Sequence, residues 1–205
     1  MENVSTQGQL SQHKMYEQKY KTSRMNLLLV VVFTAVNLLL LATNSDMYFL
    51  FSAFIPYYIT SIGMFVCGRY PEEYYFDMAE EIVFLDHSAF AVFLVISVAL
   101  TLLYLLAWFM SKKNRVGWLI FALVLFGIDT VEMLLITGIS SELIFDILFH
   151  AWVFYYLILG INAHYKLKKL PPEEEVVISD ENTVYVEENE ENSQPVVQET
   201  PQQEE

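Results

Sequence analysis

The stretch MYFLFSAFIPYYITSIGMFVC, residues 47–67, decides how this chain is threaded. It is apolar enough to enter a bilayer, yet it holds Pro56 in its middle, Gly63, and hydroxyl or phenol groups at Ser52, Tyr57, Tyr58, Thr60 and Ser61. Four other apolar runs, at residues 25–43, 89–110, 116–137 and 143–163, lack such interruptions by proline. Each has close to the length that a ~30 Å hydrocarbon core requires at about 1.5 Å of helix per residue. If 47–67 crosses, every later segment changes sides; if it dips and returns, none does.

Basic residues discriminate between the two. They group as Lys14, Lys19, Lys21 and Arg24 before the first run, Arg69 alone after 47–67, Lys112, Lys113 and Arg115 after 89–110, and Lys166, Lys168 and Lys169 after the last run. In short flanking segments Lys and Arg stay cytoplasmic. Five crossings would divide these residues almost evenly, whereas a re-entrant 47–67 puts ten on one side and only Arg69 on the other. A mid-run proline also breaks helical hydrogen bonding, and the polar grores around it need shelter among neighbouring helices. The expected fold is therefore an all-α polytopic membrane helix bundle of four spans plus one re-entrant or interfacial segment, with five spans as the alternative. The chain is placed in the cell membrane with both termini cytoplasmic.

The flanks follow from composition. Residues 1–24 read as a basic cytoplasmic tail, and the 19-residue run 25–43 exceeds a signal-peptide core and lacks a convincing cleavage site, so it is read as a retained span. Over about 72–86, Tyr75, Met78, Ala79, Ile82 and Leu85 recur at helical spacing opposite Glu73, Asp77, Glu80 and Glu81. That pattern predicts an amphipathic outer helix, lying in the interface or packed on the bundle. Of the formal net charge of -14, the segment 173–205 carries 12 acids and no Lys or Arg. Residues 171–205 are expected to form a disordered acidic cytoplasmic tail, because they cannot bury enough apolar surface to offset their ordering entropy.

Several classes are excluded. With 55% apolar residues gathered into long runs the chain is not a soluble enzyme. No basic stripe with interleaved aromatics marks a nucleic-acid surface. The single cysteine, Cys67, rules out an intrachain disulfide, CxxC redox chemistry and a multi-thiolate metal site. Nothing resembles a nucleophile elbow, and Cys67 has no basic neighbour but Arg69, so the reading leans away from an enzyme and indicates no cofactor.

Polar residues inside the spans remain. Asp129 and Glu132 lie three apart in 116–137, and Asp146 and His150 four apart in 143–163. An ionised carboxylate near mid-span costs about 2.5–3.5 kcal/mol, so such groups are expected to face the bundle interior, protonated or paired. Counted at about 1.5 Å per residue, Glu132, His150 and Asn37 all fall ~9–10 Å below the outer end, with Asp129 at ~14 Å. The candidate intramembrane cluster is thus Asn37, Asp129, Glu132, Asp146 and His150, with Asp86 and His87 as an outer rim. A metal held by Glu132, His150 and a second carboxylate, with His87, is a minor reading, because no tightly spaced ligand pair accompanies them.

The stretches NSDMYFLFSAFIPYYITSIGMFVCGRYPEEYY, residues 44–75, and HAWVFYYLILGINAHYKLKKLP, residues 150–171, resemble small multi-pass membrane proteins of Gram-positive bacteria without an assigned activity. The likeness spans most of residues 25–172 and includes no motif of known chemistry. It implies location and carries over no site residue. Two functions suit the chain. One is a small permeation or ligand-binding protein whose outer-half acid and histidine cluster handles a proton, a cation or a small polar solute. The other is a membrane scaffold or assembly protein that presents its acidic tail to a protein partner.

Overall fold

A computed structural model describes residues 2–45, 47–49, 51–76, 83–138, 144–171, 175–178 and 184–187. Up to residue 170 the described chain forms five α-helices: α1 (Glu2–Ala42), α2 (Phe54–Val66), α3 (Ala89–Met110), α4 (Val116–Thr137) and α5 (Ile144–Leu167). Four of them, α1, α3, α4 and α5, are long and apolar enough to cross a membrane, with mean hydropathies from 1.8 to 2.7. The chain is therefore a multi-pass helical membrane protein. At 13 residues α2 is only about 20 Å long, too short to cross the ~30 Å core.

The basic segment before residue 25 is not a separate tail from residue 11 onward; it continues α1 and packs on the bundle. Tyr20 is buried and its hydroxyl donates to the Ser111 carbonyl at 2.7 Å, while Arg24 Nε donates to Ser111 Oγ at 2.9 Å and Arg24 Nη2 to the Trp108 carbonyl at 3.2 Å. Arg24 and Tyr20 thereby satisfy one carbonyl group each at the C-terminal end of α3. Lys166 of α5 sits over the Tyr16 ring, 5.6 Å from its centroid. These contacts bring the N-terminal part of α1, the α3–α4 turn and the C-terminus of α5 to one end of the bundle, where ten of the eleven basic residues belong.

Helix α2 completes a hairpin. After α1 the chain turns at Asn44, whose φ of 54° is left-handed, and descends along α1 as far as Ala53. It then climbs back as α2, until Asn44 Nδ2 donates to the Arg69 carbonyl at 2.8 Å. The start and finish of the hairpin thus lie at the same end of the bundle, opposite the basic end. The five-span alternative fails on this closure. Gly63 lets α2 approach α3 closely: a Cβ there would lie 2.6 Å from Phe93 Cβ.

Only the ends of the expected outer helix are described. Glu72–Tyr75 forms a 3-10 turn and residues 83–86 have no regular structure, while 77–82 lie outside the described residues. In the tail, described separately, Glu175–Ile178 (β1) pairs antiparallel with Val184–Glu187 (β2).

Two outcomes follow. Cys67 is 1% exposed, so threading is best read from new cysteines in a Cys67→Ser background. An impermeant maleimide applied to intact cells should label Thr43→Cys and Glu72→Cys alike and spare Lys113→Cys; Glu72→Cys behaving like Lys113→Cys would contradict the hairpin. Gly63→Ala should destabilise by about 1–3 kcal/mol through overpacking against Phe93, measured by unfolding in bicelles.

Candidate functional site

A backbone that is not helical cannot run through a membrane bundle unless its polar groups find partners. The descending limb finds them on α1. The Phe49 N–H donates to Asn37 Oδ1 at 2.8 Å, and Asn37 Nδ2 donates to the Phe49 carbonyl at 2.7 Å and to Ser52 Oγ at 2.9 Å. Asn37 therefore pairs with Phe49 as an adjacent strand would. The Tyr48 hydroxyl lies 3.1 Å from Ser52 Oγ, extending the polar chain outward.

The N-terminus of α2 is the more demanding problem, since it lies inside the bundle. A helix leaves its first four N–H groups without internal partners. Ala53, the N-cap, has no side chain to offer, but its own N–H donates to Thr34 Oγ1 at 2.8 Å. The N–H groups of Phe54 and Ile55 donate to Asp129 Oδ2 and Oδ1 at 2.9 and 2.8 Å. The fourth position is Pro56, which has no N–H. One carboxylate on α4 and one hydroxyl on α1 thus satisfy every donor at this buried helix end. The partial positive charge of the helix terminus further favours the carboxylate.

His150 of α5 closes the site. Its Nδ1 lies 2.7 Å from the Asp146 carbonyl, its Nε2 lies 3.3 Å from Asp129 Oδ2, and its ring stacks on Phe126 with centroids 4.8 Å apart. A carbonyl oxygen only accepts, so Nδ1 must carry a hydrogen. The Nε2–Oδ2 contact then needs one further proton, resident on either atom, because two lone pairs would otherwise face each other. Asp129 and His150 are 0% and 2% exposed, so their contact is closed to solvent.

The structure brings together Asn37, Asp129 and His150 around the hairpin. Asp146 is half-buried one turn before His150 and contributes its backbone carbonyl to the ring. Glu132 does not join: it is exposed, and the buried positions of α4 are Leu119, Ala122, Phe126, Asp129 and Met133. With Asp129 at the centre of that stripe, a residue three positions on is turned about 60° away at 3.6 residues per turn. Asp86 and His87 are exposed at the head of α3. Asp86 accepts the Ser88 N–H at 2.9 Å, and the Ser88 N–H and hydroxyl hold its carboxyl below the usual range. It serves the start of α3 rather than the buried cluster. Among the described residues no three His, Cys, Asp or Glu side chains come together for a metal ion, so the set of Glu132, His150 and His87 is not assembled.

Thr34, Ser52 and the N–H groups of residues 53–55 are the members that sequence reasoning missed. Pro56 was the available signal: a proline at the third position of a helix leaves just two N–H groups beyond the N-cap needing a cap.

Outward of this cluster lies a cavity of about 800 Å³, lined by Asn44, Tyr48, Tyr57, Ser61, Tyr70, Glu73 and Tyr74 among others. Ser61 Oγ is 2.8 Å from the Tyr70 hydroxyl, and burial pushes the Tyr70 phenol above its ordinary value, so it stays neutral. Toward the basic end the bundle is closed by Leu27, Val30, Leu119, Ala122, Val153 and Leu157, each at most 1% exposed. Compared with protein-family models, curated proteins and solved structures, the chain matches none.

Asp129→Leu leaves two buried N–H groups and His150 without their acceptor. It should cost about 3–5 kcal/mol in bicelle unfolding, whereas Glu132→Leu, on the exposed face, should leave stability equal or higher. Histidine nitrogen NMR should find His150 protonated at Nδ1; a lone pair at Nδ1 would contradict the shared proton.

Proposed function

We propose that this protein is a ligand-binding protein of the cell membrane, open on the outer face, whose re-entrant hairpin walls the binding cavity and is anchored on a buried, proton-holding acid–histidine pair. The observation that carries this reading is the asymmetry of the bundle. A cavity of about 800 Å³, within the ~300–1,000 Å³ typical of small-molecule sites, stands at one end above the Tyr48–Ser52–Asn37 chain. The other half is sealed by close-packed apolar side chains. Binding from one side suits this form, and passage of a solute requires the sealed half to part. Gathering of ten basic residues at the sealed end supports a cytoplasmic position for both termini.

The paired tail strands favour a second role beside the first. A two-stranded ladder has free edges, to which an extended segment of a protein partner can add.

The test of the main reading is accessibility. In the Cys67→Ser background, Ser61→Cys should react with an impermeant thiol reagent from outside, and Ala122→Cys should react from neither side. Labelling of Ala122→Cys would indicate a continuous pore, and an inert Ser61→Cys would remove the outward opening. Truncation after Pro171 should leave both results unchanged.

A further inference from the structure

The lining of the outer cavity says which chemistry it would recognise. Four of its side chains are tyrosines, arranged as two close ring pairs: Tyr48 and Tyr57 are edge to face with centroids 4.9 Å apart, and Tyr70 and Tyr74 are stacked at 5.0 Å. Among the described lining residues there is one acidic side chain, Glu73, and no Lys or Arg. The nearest basic residue in sequence, Arg69, is engaged elsewhere, with its guanidinium 4.2 Å from the Phe90 ring centroid. Two of the four phenols already have hydroxyl partners, Ser52 for Tyr48 and Ser61 for Tyr70, which fixes those rings in place.

Aromatic rings carry negative charge on their faces, and several rings around one space attract a cation that is too bulky and too weakly hydrated to prefer water. We propose that the outer cavity is a cage for a small organic ammonium ion, formed by Tyr48, Tyr57, Tyr70 and Tyr74 with Glu73 as counter-charge. The proposal rests on the reading of this cavity as a ligand site and names the ligand class. The same ammonium chemistry occurs in free solutes and in the headgroups of choline lipids.

The test uses the full chain in nanodiscs of phosphatidylglycerol, which contains no ammonium group, with choline as the probe. Saturable choline binding is expected, with 3,3-dimethylbutan-1-ol, its uncharged isostere, at least about tenfold weaker. Tyr57→Leu should weaken choline about tenfold, Tyr57→Phe no more than about twofold, and Glu73→Gln about threefold. Tyr74, 54% exposed, supplies a second variant, Tyr74→Leu, that does not threaten folding. Displacement of choline by glycerophosphocholine would assign the site to a lipid headgroup, and displacement by tetramethylammonium alone to a free solute; either supports the cage. Equal affinity for the isostere would overturn it, as would a Tyr57→Phe loss as large as that of Tyr57→Leu. If the isostere or glucose binds while choline does not, the ligand class falls and the cavity stands as a site. If none of the three binds, the cavity reading falls as well.

Discussion

A helix that ends inside a membrane bundle has nowhere to send its first N–H groups, and the half of this protein opposite its basic end is organised around that difficulty. Asp129 accepts two of them and Thr34 a third, and Pro56 removes the fourth. A carboxylate in such a place would itself be intolerable alone. His150 and the helix terminus together make it tolerable, and His150 is oriented in turn by the Asp146 carbonyl. Three chain segments, α2, α4 and α5, thus meet at one buried group.

The consequences reach the surface. Since the hairpin bottom is held by α1, α4 and α5, its two limbs return to the same end, where residues of both border the tyrosine-lined space. The opposite half is packed mainly with Leu, Val, Ala and Phe. Beyond it the basic residues gather, with Arg24 and Tyr20 tying α1 to the end of α3.

Much of this was legible in the sequence, for identifiable reasons. Spans α3 and α4 were read to the residue because their apolar runs are bounded sharply by polar turns. The dip at 47–67 followed from Pro56 and from the distribution of Lys and Arg, a signal that depends on side rather than on packing. Asn37, Asp129 and His150 were found because depth can be counted along a helix. What depth cannot give is rotation, and so Glu132, level with His150 but about 60° around from Asp129, was misplaced. Thr34 was passed over because a hydroxyl in a membrane helix commonly bonds its own backbone, as Thr34 does to Val30, and only the neighbouring limb reveals its second partner. The helical extension of α1 before residue 25 was obscured by its polarity.

The direct measurement is NMR of the backbone amides of Phe54 and Ile55 in bicelles. Both should be shifted downfield and protected from exchange, and both should move in Asp129→Asn while remaining fixed in Glu132→Gln. Amides that exchange freely and ignore the change at Asp129 would contradict the cap on which the hairpin rests.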